Sequence, residues 1–170
     1  MQRLFSKYKL IVLDWDCTVT TVRTCPNSVS GLTLSPTQTD LYLETSIFRN
    51  FVLAARDANV QVAIASYASA DFIRAGVEAI FHGDNPFGEY ILTPSTFGLA
   101  DCALPSRGFD KNTMLTFLTD LTNIPVESTL FVDDSALNVA RATRLGYLVL
   151  RVPACAGFGV TLSTMLALTK

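Results

Sequence analysis

The chain has 170 residues, 49% of them hydrophobic and only 16% charged, with a formal net charge of −2. That length suits one domain with a substantial core, and the absence of a basic excess argues against a dedicated nucleic-acid binder. No run reaches the roughly 18 unbroken apolar residues of a membrane helix, and the apolar run behind Arg3, Lys7 and Lys9 is too short for a signal h-region.

Lys9 to Leu13 reads as a first strand, apolar enough to be buried on both faces. It ends in Asp14 and Asp16, one residue apart, followed by Thr18. Residues 19 to 40 are rich in Thr, Ser, Pro and Gly and read as a loop or flap placed to cover those acids. Leu41 to Asn59 then carries Ile47, Phe48, Phe51, Val52 and Ala55 on one helical face. Val60 to Ala65 is a second strand ending at Ser66, and Ala70 to Phe81 a helix. Residues 84 to 109 read as an irregular insert with a short strand at Tyr90 to Leu92. Asp110 is placed to cap a helix over Lys111 to Thr122. Thr129 to Val132 is a strand that again ends in acids, Asp133 and Asp134. A helix follows over Ser135 to Leu145, stopped by Gly146, then a last strand over Tyr147 to Val152 and a helix over Val160 to Leu168.

The alternation of strands and helices predicts an α/β fold, a three-layer α/β/α sandwich around a mostly parallel, Rossmann-like sheet. In such a sheet all strand ends share one edge. Asp14, Asp16, Ser66, Asp133 and Asp134 therefore converge there, and Lys111 can reach them from its helix start. Carboxylates with a hydroxyl and an ammonium suit a phosphate held with a cation: the acids take Mg²⁺, and the lysine and hydroxyl take phosphate oxygens. In an extended segment residues 14 and 16 point to one side, so one can act as nucleophile and the other as acid then base.

Asp14-Trp15-Asp16-Cys17-Thr18 resembles the DxDxT motif of the haloacid dehalogenase-like (HAD) phosphohydrolases. Val62-Ala63-Ile64-Ala65-Ser66, Lys111 and Leu130-Phe131-Val132-Asp133-Asp134 resemble that family's other motifs in the same order. The resemblance spans about residues 9 to 152 and is greatest to the small magnesium-dependent phosphatases without a cap domain. It implies that Asp14 forms an aspartyl phosphate while Asp16 protonates the leaving group and then activates water. It further implies that Thr18 orients Asp16, and that backbone N–H groups around Trp15 and Asp16 join Ser66 and Lys111 on the phosphate. Asp14, Asp133, Asp134 and the Asp16 carbonyl would hold Mg²⁺. Those phosphatases carry Arg after the motif-two serine, where this chain has Tyr67, a residue placed to line the phosphate site.

The chain is thus expected to be a cytoplasmic, monomeric, Mg²⁺-dependent phosphatase of phosphoproteins or small phosphomonoesters, with no membrane partner and with nucleic acid disfavoured but not excluded. Two alternatives stand beside it: a binding module that keeps the phosphate pocket but turns over little, and a polynucleotide 3′-phosphatase. The cysteines, Cys17, Cys25, Cys102 and Cys155, include no C-x-x-C pair, and His82 is remote from them. Zinc is not expected, the thiols are expected to be reduced, and Cys17 is expected to be a buried spacer.

Overall fold

In a computed structural model, which describes residues 1–24, 44–103, 105–106 and 108–169, the first strand is the centre of the molecule. β1 (Leu10–Leu13) is buried along its whole length. β2 (Gln61–Ala65) and β4 (Thr129–Asp133) flank it. β3 (Ile91–Leu92) and β5 (Leu148–Arg151) close a five-stranded sheet of order β3-β2-β1-β4-β5. Every pairing is parallel.

Side chains alternate between two cores, as the pleat requires. Ile11, Leu13, Val62, Ile64, Leu130 and Val132 face one of them. There they meet α1 (Gln2–Lys7), α2 (Thr45–Asp57), α3 (Ala70–Phe81) and α6 (Phe158–Ala167). Leu10, Val12, Ala63, Ala65 and Phe131 face the other, against α4 (Lys111–Thr122) and α5 (Ala136–Arg144). Helices on both faces of a parallel sheet make the three-layer α/β/α sandwich that the sequence predicts. Among the described residues there is no cap domain and no helix long and apolar enough to cross a membrane.

Phe48 is the hub of the first core. Its ring centroid lies 6.3 Å from Trp15, 6.0 Å from Phe81, 6.1 Å from Phe87 and 4.8 Å from Phe158. Such aromatic pairs each add about 0.5–1.5 kcal/mol beyond simple burial. Trp15, fully buried in this cluster, therefore anchors the backbone between the two acids of the first motif.

The strand order places the site. From β1 the chain progresses outward through β2 to β3, then returns to β4 on the other side and continues to β5. The order reverses between β1 and β4, and in open α/β sheets the crevice beyond the strand C-termini at that reversal binds ligands. Asp14 follows β1 and Asp133 ends β4, so both acid pairs lie at it.

Several expectations need correction. α1 was not foreseen, because a six-residue helix is too short to show a periodicity. The short strand expected at Tyr90 to Leu92 is β3, but the stretch after it is not wholly irregular: it contains a 3₁₀ turn over Pro94–Phe97, capped reciprocally by Thr93 and Thr96. The flap expected over 19–40 lies outside the described residues beyond Thr24. Most directly, the described cysteines are not reduced thiols. Cys17 and Cys155 form a disulfide across 138 residues of sequence, and Cys102 is disulfide-bonded as well. Spacing along the chain carries no information on a pair brought together only by the fold. A cytoplasmic location therefore takes no support from the cysteines.

Candidate active site

The site is built from three strand ends and one helix start. Asp14 continues β1, and its backbone N–H donates to the Val132 carbonyl of β4 at 2.9 Å, which ties the two acid-bearing segments together. Beyond it the chain turns tightly. The Trp15 carbonyl accepts the N–H groups of Val19 and Thr20 at 2.9 and 3.0 Å, and Cys17 sits in the left-handed region at φ 59°.

Lys111 is delivered from the opposite face. Asp110 caps α4, accepting from the Asn112 and Thr113 N–H groups at 2.9 and 3.4 Å, while Thr113 Oγ1 accepts the Asp110 N–H at 3.3 Å. This capping box fixes the first turn, so the lysine side chain runs inward rather than into solvent; it is only 2% exposed. Its Nζ donates to Asp14 Oδ1 at 2.5 Å and to the Ala65 carbonyl at the end of β2, and lies 3.6 Å from Asp133 Oδ2. It also stands 5.2 Å from the centre of the Tyr67 ring.

Asp133 has no exposed surface. Ser135 N–H donates to its Oδ1 at 2.7 Å, and Asn138 Nδ2 donates to its two oxygens at 3.2 and 3.0 Å. Asp14, Asp133 and Asp134 each offer an oxygen within 4.8 Å of the others. Ser66 is buried beside this group at the end of β2, its hydroxyl accepting the Ala68 N–H at 3.2 Å.

No family model matches the sequence, and no curated protein does. Solved structures do match. The cobalt-bound deoxy-D-mannose-octulosonate 8-phosphate phosphatase of Haemophilus influenzae superposes with a TM-score of 0.56 at 15% identity, covering 98% of this chain and 91% of that one. A 3-deoxy-D-manno-octulosonate 8-phosphate phosphatase of Moraxella catarrhalis, in complex with magnesium, phosphate and its sugar acid, gives 0.50 at 16%, covering 83% and 67%. A predicted HAD-like family hydrolase from Porphyromonas gingivalis gives 0.54 at 15%, covering 95% and 98%.

The chain has the HAD fold. Within it, Asp14, Asp133 and Asp134, which the motif resemblance selected from distant parts of the sequence, lie with Lys111 at one edge of the sheet.

The electrostatics follow from crowding acids into this edge of the HAD sheet. Burial, reinforced by the Asp14 charge, raises Asp133 to about 7 against the pull of Lys111 and its N–H donors. Burial likewise raises Asp134, partly opposed by Arg23, and takes Asp16 up to about 6. Burial disfavours the Lys111 ammonium too, but Asp14 and Asp133 together overcome that and hold its pKa above the ordinary lysine value. Burial also pushes the Tyr67 phenol to about 12, so this ring remains neutral at physiological pH. Lys111 thus pairs with two buried carboxylates and the exposed Arg23 with the third, so the three acids when ionised outnumber their two cations and one negative charge is left over. An all-oxygen donor set with surplus negative charge fits a hard divalent cation.

Two residues that sequence reasoning missed also belong to the site. Thr24 donates to Asp16 twice, from its N–H to Oδ2 at 3.0 Å and from its hydroxyl to Oδ1 at 2.6 Å. Arg23, next to it, places Nη2 3.0 Å from Asp134 Oδ2. Thr18, expected to orient Asp16, does not do so. It is buried, its carbonyl accepts the Thr161 hydroxyl of α6 at 3.2 Å, and its own Oγ1 has no hydrogen-bond partner among the described residues. The turn directs residue 18 toward α6 and returns residue 24 to the acid. No sequence signal distinguished Thr24 from the other threonines of its polar stretch.

Proposed function

We propose that the chain is a divalent-cation-dependent phosphomonoester hydrolase with Mg²⁺ as its metal. The observation that carries this reading is the position of Lys111 Nζ between Asp14 and Asp133, with Asp134 beside them, at the reversal point of the sheet. Asp14, Asp133, Asp134 and the Asp16 carbonyl are the residues assigned to the cation. A cation bound there offsets the charge of the phosphoryl oxygens during transfer.

The chain's own groups perform the chemistry. Lys111 holds one oxygen of Asp14 and fixes the plane of its carboxylate. Asp14 attacks phosphorus in line as the bond from phosphorus to the leaving oxygen breaks, and Asp16 gives its proton to that oxygen. Asp16, now a carboxylate, takes a proton from water as the water oxygen attacks the aspartyl phosphate; inorganic phosphate leaves and Asp14 is restored. A pKa of about 6 suits Asp16 to both roles near neutrality, since it takes up and releases a proton at little cost. Ser66 and Lys111 hold phosphate oxygens, and Trp15 contributes its backbone while its indole stays in the core. Tyr67 lines the pocket through its ring against Lys111, not as a charge.

The substrate is proposed to be a small phosphomonoester or a phosphoprotein. Phosphorylated sugar acids are the first small class to assay, because structures similar to this chain are phosphatases of such compounds. The test is hydrolysis of an aryl phosphate with Mg²⁺, with EDTA, and by Asp14→Asn. Turnover that needs Mg²⁺ and vanishes in the variant is expected. Turnover unchanged by Asp14→Asn would remove the assignment.

A further inference from the structure

The structure assigns Thr24 as the positioning residue for the Asp16 carboxyl group, an inference that rests on the phosphatase reading above. A general acid must keep its carboxyl plane aligned with the leaving oxygen while the transition state forms, and an aspartate side chain has two free torsions with which to lose that alignment. The usual means is to bind both carboxyl oxygens. Among the described residues Thr24 does so alone, with its N–H on Oδ2 at 3.0 Å and its hydroxyl on Oδ1 at 2.6 Å.

Thr24 is itself held. The Cys17 N–H donates to the Val22 carbonyl at 3.3 Å and contacts Thr20 Oγ1 at 3.2 Å, while the Thr20 hydroxyl donates to Val22 O at 2.7 Å. These bonds bring the chain back on itself within eight residues of Asp16. At residue 23 the Arg23–Asp134 pair then ties the returning chain to the segment after β4. Residues 23 and 24 therefore form a strap between the two acid-bearing segments, with one end on each. The Thr18 hydroxyl, the other candidate for the task, binds nothing among the described residues.

If Thr24 orients the acid, its loss is felt in proportion to the leaving group's need for a proton. An activated aryl oxide leaves almost unaided, whereas an alkoxide must be protonated. Removing only the hydroxyl, by Thr24→Val, should lower kcat/KM, which reports the transfer to Asp14 in which the leaving group departs, about tenfold more for an alkyl phosphate than for p-nitrophenyl phosphate, a fraction of the 10²–10⁴-fold that general acid catalysis supplies. KM should change by less than about twofold, because the strap does not hold the phosphate, and Thr24→Ser should recover most of the loss. In an Asp16→Asn background Thr24→Val should cost nothing further, since the group it orients is already gone.

The experiment compares the full chain and these variants on both substrates with Mg²⁺; should the valine variant fail to fold, Thr24→Ala carries the same comparison. An equal loss on the two substrates, a gain on the alkyl phosphate, a serine variant no better than valine, or an undiminished effect in the Asp16→Asn background each overturns the assignment of Thr24 while leaving the phosphatase standing. A wild-type protein that hydrolyses neither substrate overturns the phosphatase reading, and this inference with it.

Discussion

Lys111→Met is the most informative single perturbation of stability, because the lysine compensates two buried acids at once. Methionine keeps the length and apolar stem of the side chain but removes the ammonium that contacts Asp14 at 2.5 Å and lies 3.6 Å from Asp133. The two carboxylates remain, 9% and 0% exposed. Removing one partner of a buried pair costs about 3–5 kcal/mol, since the other charge is left buried and unpaired. For a chain of this size that is a fall in melting temperature of about 6–20 °C. The loss should shrink as pH falls: a protonated acid needs no counter-charge, and Asp133, raised to about 7, takes up its proton between pH 8 and pH 5. The double variant Lys111→Met/Asp14→Asn should recover part of the stability for the same reason. Thermal unfolding of wild type and both variants at pH 5 and pH 8, in EDTA, makes the measurement. A Lys111→Met protein as stable as wild type at pH 8, or destabilised equally at both pH values, would mean that Lys111 is not held by charge.

Three further outcomes follow from the same geometry. With EDTA present, stability should fall as pH rises from about 4 to about 7. The folded state keeps protons on Asp133 and Asp16 that the unfolded chain has already released, so folding is favoured on the acid side; Mg²⁺ titrated into a melting series should flatten that slope. Asn138→Ala should weaken Mg²⁺ activation roughly tenfold, as removal of a group that orients a metal-ligating carboxylate does, because Asn138 donates to both oxygens of Asp133; an unchanged activation constant contradicts it. Cys155→Ser should destabilise the chain by up to about 5 kcal/mol, the loop-closure value for a link spanning 138 residues, whereas treating that variant with a reductant should add less than the same treatment adds to wild type.

Much of this molecule can be read directly from its residues. α3 and α4 have the boundaries their apolar spacing and capping residues predict, Ala70–Phe81 and Lys111–Thr122. Runs such as Ile11-Val12-Leu13 can only be satisfied by burial on both faces, and acids at their ends need a partner, so the strand ends mark the site. What escaped is what depends on proximity alone. The Cys17–Cys155 bond joins residues that no local pattern relates. Thr18 and Thr24 are both threonines near an aspartate, and only the turn through Trp15 and Cys17 decides which of them reaches it. Arg23 likewise sits in a polar stretch whose composition signals a loop, and its pairing with Asp134 comes from the path of that turn.

Whether Asp14 is the nucleophile is decided by looking for phosphate on that residue. The full chain is mixed with a radiolabelled phosphomonoester and Mg²⁺, quenched in acid within the first turnover, and digested. Label released by hydroxylamine, confined to the peptide containing Asp14 and absent from Asp14→Asn, is the predicted result. A chain that turns over substrate under the same conditions with no acid-stable label on that peptide, in Asp16→Asn as well as in wild type, would rule out Asp14 as the nucleophile.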